Sequence, residues 1–264
     1  MPDAPRELLD SGPLRSAYLG AVTAARRGLD GTALLRSWDA RTTRRPRSRL
    51  AHLRTLLAVH EAEDLVAFDL PWWTYQAIDH VSGFLAGRGY RARVFEYGSG
   101  ASTLWLARRC SSLDAVEHHA EWAARVRELV SATPGLRCTP TLHVPRVPAV
   151  PAGGTARVPS GAPSGRGLDF AAYVGVVHDV GGEFDLVTVD GRAREASLLA
   201  SLEHVAPDGL LLLDDAQRSR YREVVRQAEA QGWHSLRTRG ATPCQPVPRE
   251  TVLLSRHPFG PAPR

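Results

Sequence analysis

The rhythm of hydrophobic positions changes near residue 90. Before it, Leu8, Leu9 and Leu14, then Leu50, Leu53, Leu56 and Leu57, fall at helical spacing. This predicts helix over residues 5–60, interrupted at Arg41–Arg49, and a further helix from near Pro71 through Ile78, Val81 and Leu85 to Gly87. From Arg93 onward short apolar runs alternate with helical patterns. Strands are predicted at 93–97, 113–117, 136–143, 184–189 and 209–213. Helices are expected through Leu104–Ala107, over 120–130, through Leu198–Leu202 and over 217–230. Phe184–Val189 is almost wholly apolar, as a strand covered on both faces should be. His234–Thr238 and Thr251–Ser255 have no helix between them, which predicts an antiparallel pair.

Such alternation predicts a doubly wound, mostly parallel α/β sheet of Rossmann-like type, to which the terminal hairpin is an addition. The expected organisation is a helical N-terminal extension over 1–68 and a ligand-binding domain over 69–264. Val144–Gly167 contains five Pro and five Gly. It is too long for an ordinary connection and reads as a lid or a disordered insert.

Composition narrows the class. No apolar run approaches the roughly 18 residues of a membrane span. The opening Met-Pro-Asp-Ala-Pro-Arg-Glu lacks the basic-then-apolar order of a secretory signal. Cys110, Cys138 and Cys244 give neither a disulfide framework nor a zinc spacing. A reduced, cytoplasmic protein is expected, with no membrane partner. The sequence pI of about 9.5 raises nucleic acid as a partner, but all 33 basic residues are Arg, and Lys and Asn are absent. That usage looks like a GC-rich bacterial genome writing its charge as Arg. The one dense run, Arg41–Arg49, carries a proline and no aromatics, so it reads as a solvated connector.

The chemistry gathers where strands end, since ligands of such sheets sit at the carboxyl ends of the strands. The first strand runs into Glu96-Tyr97-Gly98-Ser99-Gly100-Ala101-Ser102-Thr103. Glycines let the backbone approach a ligand, and the helix start offers free N–H groups. Thr103 stands where a dinucleotide fingerprint has its third glycine, and Glu96 would repel a diphosphate while suiting an ammonium group. Both count against NAD. Glu117, 19 residues past Gly98, can accept hydrogen bonds from two ribose hydroxyls. Asp169 and Phe170 could hold an adenine amino group and cover its ring, or could be a capping acid and a core aromatic. Asp190 ends the fourth strand in Val189-Asp190-Gly191-Arg192.

These stretches, VFEYGSGASTLWLARR, AVEHHAEW, FDLVTVDGRAR and GLLLLDDAQRSRY, resemble the class I S-adenosylmethionine-dependent methyltransferases. PWWTYQAIDHV is similar to the helix that leads into a bacterial branch of them. The resemblance covers roughly residues 70–256. It implies strand order 3-2-1-4-5-7-6, S-adenosylmethionine as cofactor, and cofactor contacts at Glu96, Gly98, Gly100 and Glu117. Ser99, Ser102, Thr103, His118, Asp169, Phe170 and Asp190 complete the candidate cofactor set. Two departures stand out: His119 replaces a usual acid, and the loop after the third strand is long.

Methyl transfer from a sulfonium is a direct displacement, so alignment supplies most of the catalysis and a base is needed only for a protonated acceptor. Asp190, Asp214 and Asp215 are the acids best placed, with Arg192 able to neutralise Asp190. If all three converged they would suit Mg²⁺; the preferred reading is Asp190 as an orienting group or base without metal. Trp72, Trp73 and Tyr75 could wall an acceptor pocket or simply fasten their helix to the sheet. His178 and His80 are set aside, the first because its helix runs away from the cofactor edge. The Asp-Gly-Arg at 190–192 is unlike the Asp/Asn-Pro-Pro-aromatic motif of base-methylating enzymes. This argues against base methylation; the GC-rich usage, the long lid and the resemblance suggest a small specialised metabolite as acceptor, with O-methylation ahead of N-methylation. The alternative is a cofactor-binding protein of the same fold that does not methylate. The helical N-terminus offers a surface through which two subunits could pair.

Overall fold

The computed structural model describes residues 13–29, 31–44, 48–57 and 62–260. Leu8, Leu9 and the Arg45–Arg47 part of the basic run lie outside the described residues. Four helices come first: α1 (Pro13–Leu29), α2 (Ala33–Arg44), α3 (Arg49–Thr55) and α4 (Ala62–Phe68). Next come α5 (Tyr75–Gly87), β1 (Arg93–Tyr97), α6 (Ala101–Ala107), β2 (Ser112–Val116), α7 (Ala120–Ala132) and β3 (Thr141–His143). The chain continues through α8 (Ala171–Val180), β4 (Phe184–Val189), α9 (Arg194–Ser201), β5 (Val205–Leu213), α10 (Tyr221–Ala230), β6 (His234–Thr242) and β7 (Gln245–Ser255). The sheet order is β3-β2-β1-β4-β5-β7-β6, with every pair parallel except those made by β7.

Strand side chains alternate between two cores. Phe95, Val187, Leu211, Leu213 and Val252 face a core shared with Phe170, Tyr173, Leu198 and Val225 of α8–α10 and the residues leading into them. Val94, Leu186, Leu212 and Leu253 face Trp73, Ile78, Val81 and Trp105 instead. Burial on both faces explains why β4 reads as continuous apolar sequence.

Several boundaries differ from the sequence expectation, each for a local reason. The helix expected from Pro71 starts at Tyr75, because Thr74 turns its hydroxyl back to accept from Ala77 N. β3 is cut to its last three residues: Pro140 cannot join the ladder, and Arg137 N and Cys138 N are both drawn to the Ala107 carbonyl. β6 and β7 run longer than expected, to a turn at Cys244.

The N-terminal helices join the domain closely. Leu65 and Leu70 belong to the same core as Trp73 and Leu85. Buried Thr55 accepts a hydrogen bond from Cys244 N at 3.1 Å, tying α3 to the β6–β7 turn. Among the described residues, no helix is long and apolar enough to cross a membrane.

Candidate cofactor and acceptor site

A cavity of about 370 Å³ opens at the carboxyl ends of β1, β4 and β5. Its floor is the turn after β1. Tyr97 faces the core and donates its hydroxyl to the Val174 carbonyl at 2.7 Å. The chain then turns through Gly98, at φ +102°, in close contact with the turn after β4. A Cβ on Gly98 would lie 3.1 Å from Gly191 Cα, and one on Gly191 would lie 2.0 Å from the Tyr173 hydroxyl. These two glycines let the β1 and β4 turns touch. At Gly100 a Cβ would meet nothing nearer than Trp122 at 3.8 Å, and this residue lines the cavity.

Glu96 reaches the cavity although it is 1% exposed. Its carboxyl accepts from Ser102 Oγ at 2.5 Å and Thr103 Oγ1 at 2.6 Å. Burial, with Asp190 and Glu117 adding negative charge nearby, pushes its pKa up to about 8 against the pull of the two hydroxyls. Thr103 is fully buried; it supports Glu96 and Gly100 N from behind the cavity wall.

Asp190, Asp214 and Asp215 also line the cavity. They are organised by a residue that sequence reasoning missed. Arg194, buried at the start of α9, pairs with Asp190 Oδ1 at 2.8 Å. It also donates to the carbonyls of Gly191 at 3.0 Å and Asp214 at 2.7 Å. The cation on Asp190 is thus Arg194, and Arg192 does not line the cavity: α9 begins just after it, so the i,i+4 position turns back over Asp190. Asp214 accepts from Thr251 Oγ1 at 2.7 Å. Asp215 faces Arg218 at 2.7 Å, Arg194 at 3.5 Å and Arg249 at 3.8 Å. Burial raises the pKa of Asp190 and of Asp214, while for Asp215 the three guanidinium groups outweigh burial and lower it. Among the described residues, the three acids do not bring one oxygen each within a single ion's reach, so the geometry a shared Mg²⁺ requires is not present.

Strained turns border this region. Ala193, Asp215 and Cys244 adopt φ of +46°, +55° and +61°, values that L residues rarely take outside sites where the surroundings impose them. The Cys244 turn brings Thr242, Gln245, Pro246 and Val247 to the cavity wall. Nothing in their sequence marked them beyond the interruption between two strands. Trp72 also lines the cavity. Trp73 is fully buried edge-on against Trp105, 5.7 Å between ring centres, and Tyr75 turns to His52.

The other half of the expected site is closed on itself. Glu117 is 6% exposed and accepts from His118 N at 2.8 Å, His119 N at 2.9 Å, His118 Nδ1 at 2.7 Å and Ser99 Oγ at 3.3 Å. Burial pushes its pKa up, but these donors outweigh it and hold the group below its ordinary value. Asp169 accepts from Ala171 N at 3.0 Å, Val158 N at 3.2 Å and Arg157 Nε at 3.1 Å. Phe170 is fully buried, and its N–H is bonded to the Val158 carbonyl. In this arrangement the pair caps a helix and fills the core. Residues 144–167 run over this half. Val147, Val158 and Leu168 lie on the core, and Ser160 Oγ accepts from Ala193 N at 3.2 Å. Of Glu117, His118, Asp169 and Phe170, none lines the cavity.

No protein-family model matches the chain, and no curated protein matches it. Solved structures do. Precorrin-6y C5,15-methyltransferase from Geobacter metallireducens is 12% identical over 69% of this chain and 89% of that one, with TM-score 0.47. An rRNA methylase from Streptococcus thermophilus is 12% identical over 67% and 95%, TM-score 0.47. A methyltransferase-like protein from Silicibacter pomeroyi is 21% identical over 69% and 88%, TM-score 0.44. The strand order is the one that the motif resemblance implies. The fold is a Rossmann-like, mostly parallel seven-stranded sheet with an antiparallel C-terminal hairpin.

Proposed function

We propose that the protein is an S-adenosylmethionine-dependent methyltransferase acting on a small molecule, with oxygen as the acceptor atom. The observation that carries this reading is Glu96 at the floor of the cavity. It is a buried acid with two hydroxyl donors and no cation, which suits the ammonium group of an amino-acid cofactor. Asp190, Asp214 and Asp215 share the cavity with Glu96, and Arg194, Arg218 and Arg249 line it as well. At the β1 turn, Glu96 with its two hydroxyl donors favours the ammonium of an amino-acid-bearing nucleoside over a diphosphate.

S-adenosylmethionine supplies, when bound, a methyl group activated on a sulfonium. This chain's residues hold and orient. Glu96 and the Gly98–Ser102 turn would take the amino-acid end and Glu117 the ribose, which requires Glu117 to exchange its Ser99 bond for sugar hydroxyls. Asp190, fixed by Arg194, would orient the acceptor hydroxyl or take its proton, and burial raises its pKa and so its basicity. The β6–β7 turn and Trp72 would wall the acceptor in. An enclosed space of this size supports a small acceptor.

One observation favours a second reading, a cofactor-binding protein without methyl transfer: Asp190, Asp214 and Asp215 are all already partnered. Incubation with methyl-labelled S-adenosylmethionine and a cell extract separates the two. A labelled small product chromatographically distinct from S-adenosylmethionine, absent in Asp190→Asn, is expected. Label in macromolecules only would overturn the small-molecule acceptor, and binding without any transfer would favour the second reading.

A further inference from the structure

At the opposite end of the sheet, α8 and the turn entering β5 bring His178, Glu203 and His204 together. We propose that these three residues form a binding site for a borderline divalent transition-metal ion of the Zn²⁺ class, structural in role and separate from the cofactor cavity. Imidazole nitrogen and carboxylate oxygen are the donors such ions take.

The distances fit one ion. His178 Nδ1 and His204 Nε2 are 2.8 Å apart, His178 Nδ1 and Glu203 Oε1 are 3.3 Å apart, and His204 Nε2 and Glu203 Oε1 are 3.9 Å apart. The circle through three points with those separations has a radius of about 2.0 Å, and Zn–N and Zn–O bonds are about 2.0–2.2 Å long. An ion near that centre is within bonding distance of all three atoms, and small side-chain rotations would lift it out of their plane towards the tetrahedral arrangement Zn²⁺ takes. Three protein ligands leave further positions for water.

A second feature is the orientation of His204. Its Nδ1 lies 3.0 Å from the Gly182 carbonyl, which can only accept. Nδ1 therefore carries a proton, which leaves Nε2 as the ring nitrogen facing the cluster. A carbonyl on the far ring nitrogen is how metal-bound histidines are usually held in their tautomer. The backbone at His204 is fixed as well: its carbonyl accepts from Phe184 N at 2.7 Å and its N–H donates to the Ser201 carbonyl at 2.9 Å. His178 donates from Nδ1 to His204 Nε2 when no ion is present. Ion binding requires His178 Nδ1 to give up that proton. The ion would add to the contacts by which His178, at the end of α8, already reaches Glu203 and His204 at the start of β5.

The test uses untagged full-length protein freed of metal with a chelator, titrated with Zn²⁺ against a chromophoric competitor. One equivalent is expected to bind, with a rise in melting temperature. His178→Ala should weaken binding by at least about 10-fold, and His178→Ala with His204→Ala should abolish it. S-adenosylhomocysteine binding should be unchanged in His178→Ala, whose side chain is nearly half exposed and can be removed without loss of fold. Co²⁺ in place of Zn²⁺ should give ligand-field bands that His204→Gln removes. No Zn²⁺ bound by the wild type at 100 µM, or equal binding by the double variant, would overturn the proposal.

Discussion

The two halves of the candidate site treat their acids in opposite ways. At the cavity, Glu96 is pushed up to about 8 and Asp190 and Asp214 are raised as well, because burial outweighs their donors, and only Asp215, faced by three guanidinium groups, is lowered. At the adjoining edge, Glu117 is lowered by its donors and Asp169 is held at about 2 by the Ala171 N–H and its other partners. At Glu96 burial outweighs two hydroxyl donors, whereas Glu117 and Asp169 are answered by backbone N–H groups together with His118 and Arg157. The difference teaches where a ligand gains most. A cationic amino-acid group gains at Glu96, whereas a nucleoside must displace the contacts of Glu117 and move the 144–167 segment.

The largest expected effect tests the hub of the first half. Arg194→Ala strands Asp190 and frees the carbonyls of Gly191 and Asp214. Breaking a buried pair of this kind costs about 3–5 kcal/mol, which urea denaturation would read. A loss below about 1 kcal/mol would show that Arg194 contributes no more than a surface pair.

Next comes the charge at Glu96. Glu96→Gln keeps the shape and one acceptor for Ser102 or Thr103, so the fold should persist. Affinity for S-adenosylhomocysteine should fall about 10-fold or more, the scale of one charge-assisted hydrogen bond. Unchanged affinity would remove Glu96 from the cofactor site.

The pH dependence sharpens the same point. The Glu96 carboxyl titrates at 4.5 in the open chain and at about 8 in the fold. A raised folded pKa confers stability that is complete below 4.5 and is lost as pH rises through 8. The ligand-free protein should therefore melt at progressively lower temperature from pH 5 to 8. A bound ammonium favours the ionised acid, so the stabilisation by S-adenosylhomocysteine should grow over the same range. Glu96→Gln should flatten both trends, and parallel trends in the variant would assign them to other groups.

The smallest effect is expected at the closed edge. Asp169→Ala removes the carboxylate that gathers Val158, Arg157 and Ala171, and should speed proteolytic cutting within 144–167 while leaving the melting of the sheet nearly unchanged. Equal cutting rates would show that other contacts hold the segment.

The sheet was legible in the sequence because two cores impose alternation on β1, β4 and β5, and a parallel strand covered on both faces has no polar positions to blur the pattern. Motif positions at strand ends led to Glu96, Asp190 and Asp214 for the same reason: topology brings strand ends together. Arg194 was missed because its role depends on the unusual backbone at Ala193, which starts α9 so that the fourth residue folds back on Asp190. The Cys244 turn was missed because its place over the cavity is set by long-range pairing with β5 and by Thr55. Asp169 and Phe170 admitted two readings because a carboxylate beside a helix start can accept from the backbone or from a ligand; here Asp169 accepts from Ala171, Val158 and Arg157.

Calorimetric titration of the wild type with S-adenosylhomocysteine and, separately, with NAD⁺ tests the central claim most directly. The account predicts one saturable site for the sulfur nucleoside and no heat from the dinucleotide. Silence with S-adenosylhomocysteine and S-adenosylmethionine alike, together with saturation by NAD⁺, would contradict it.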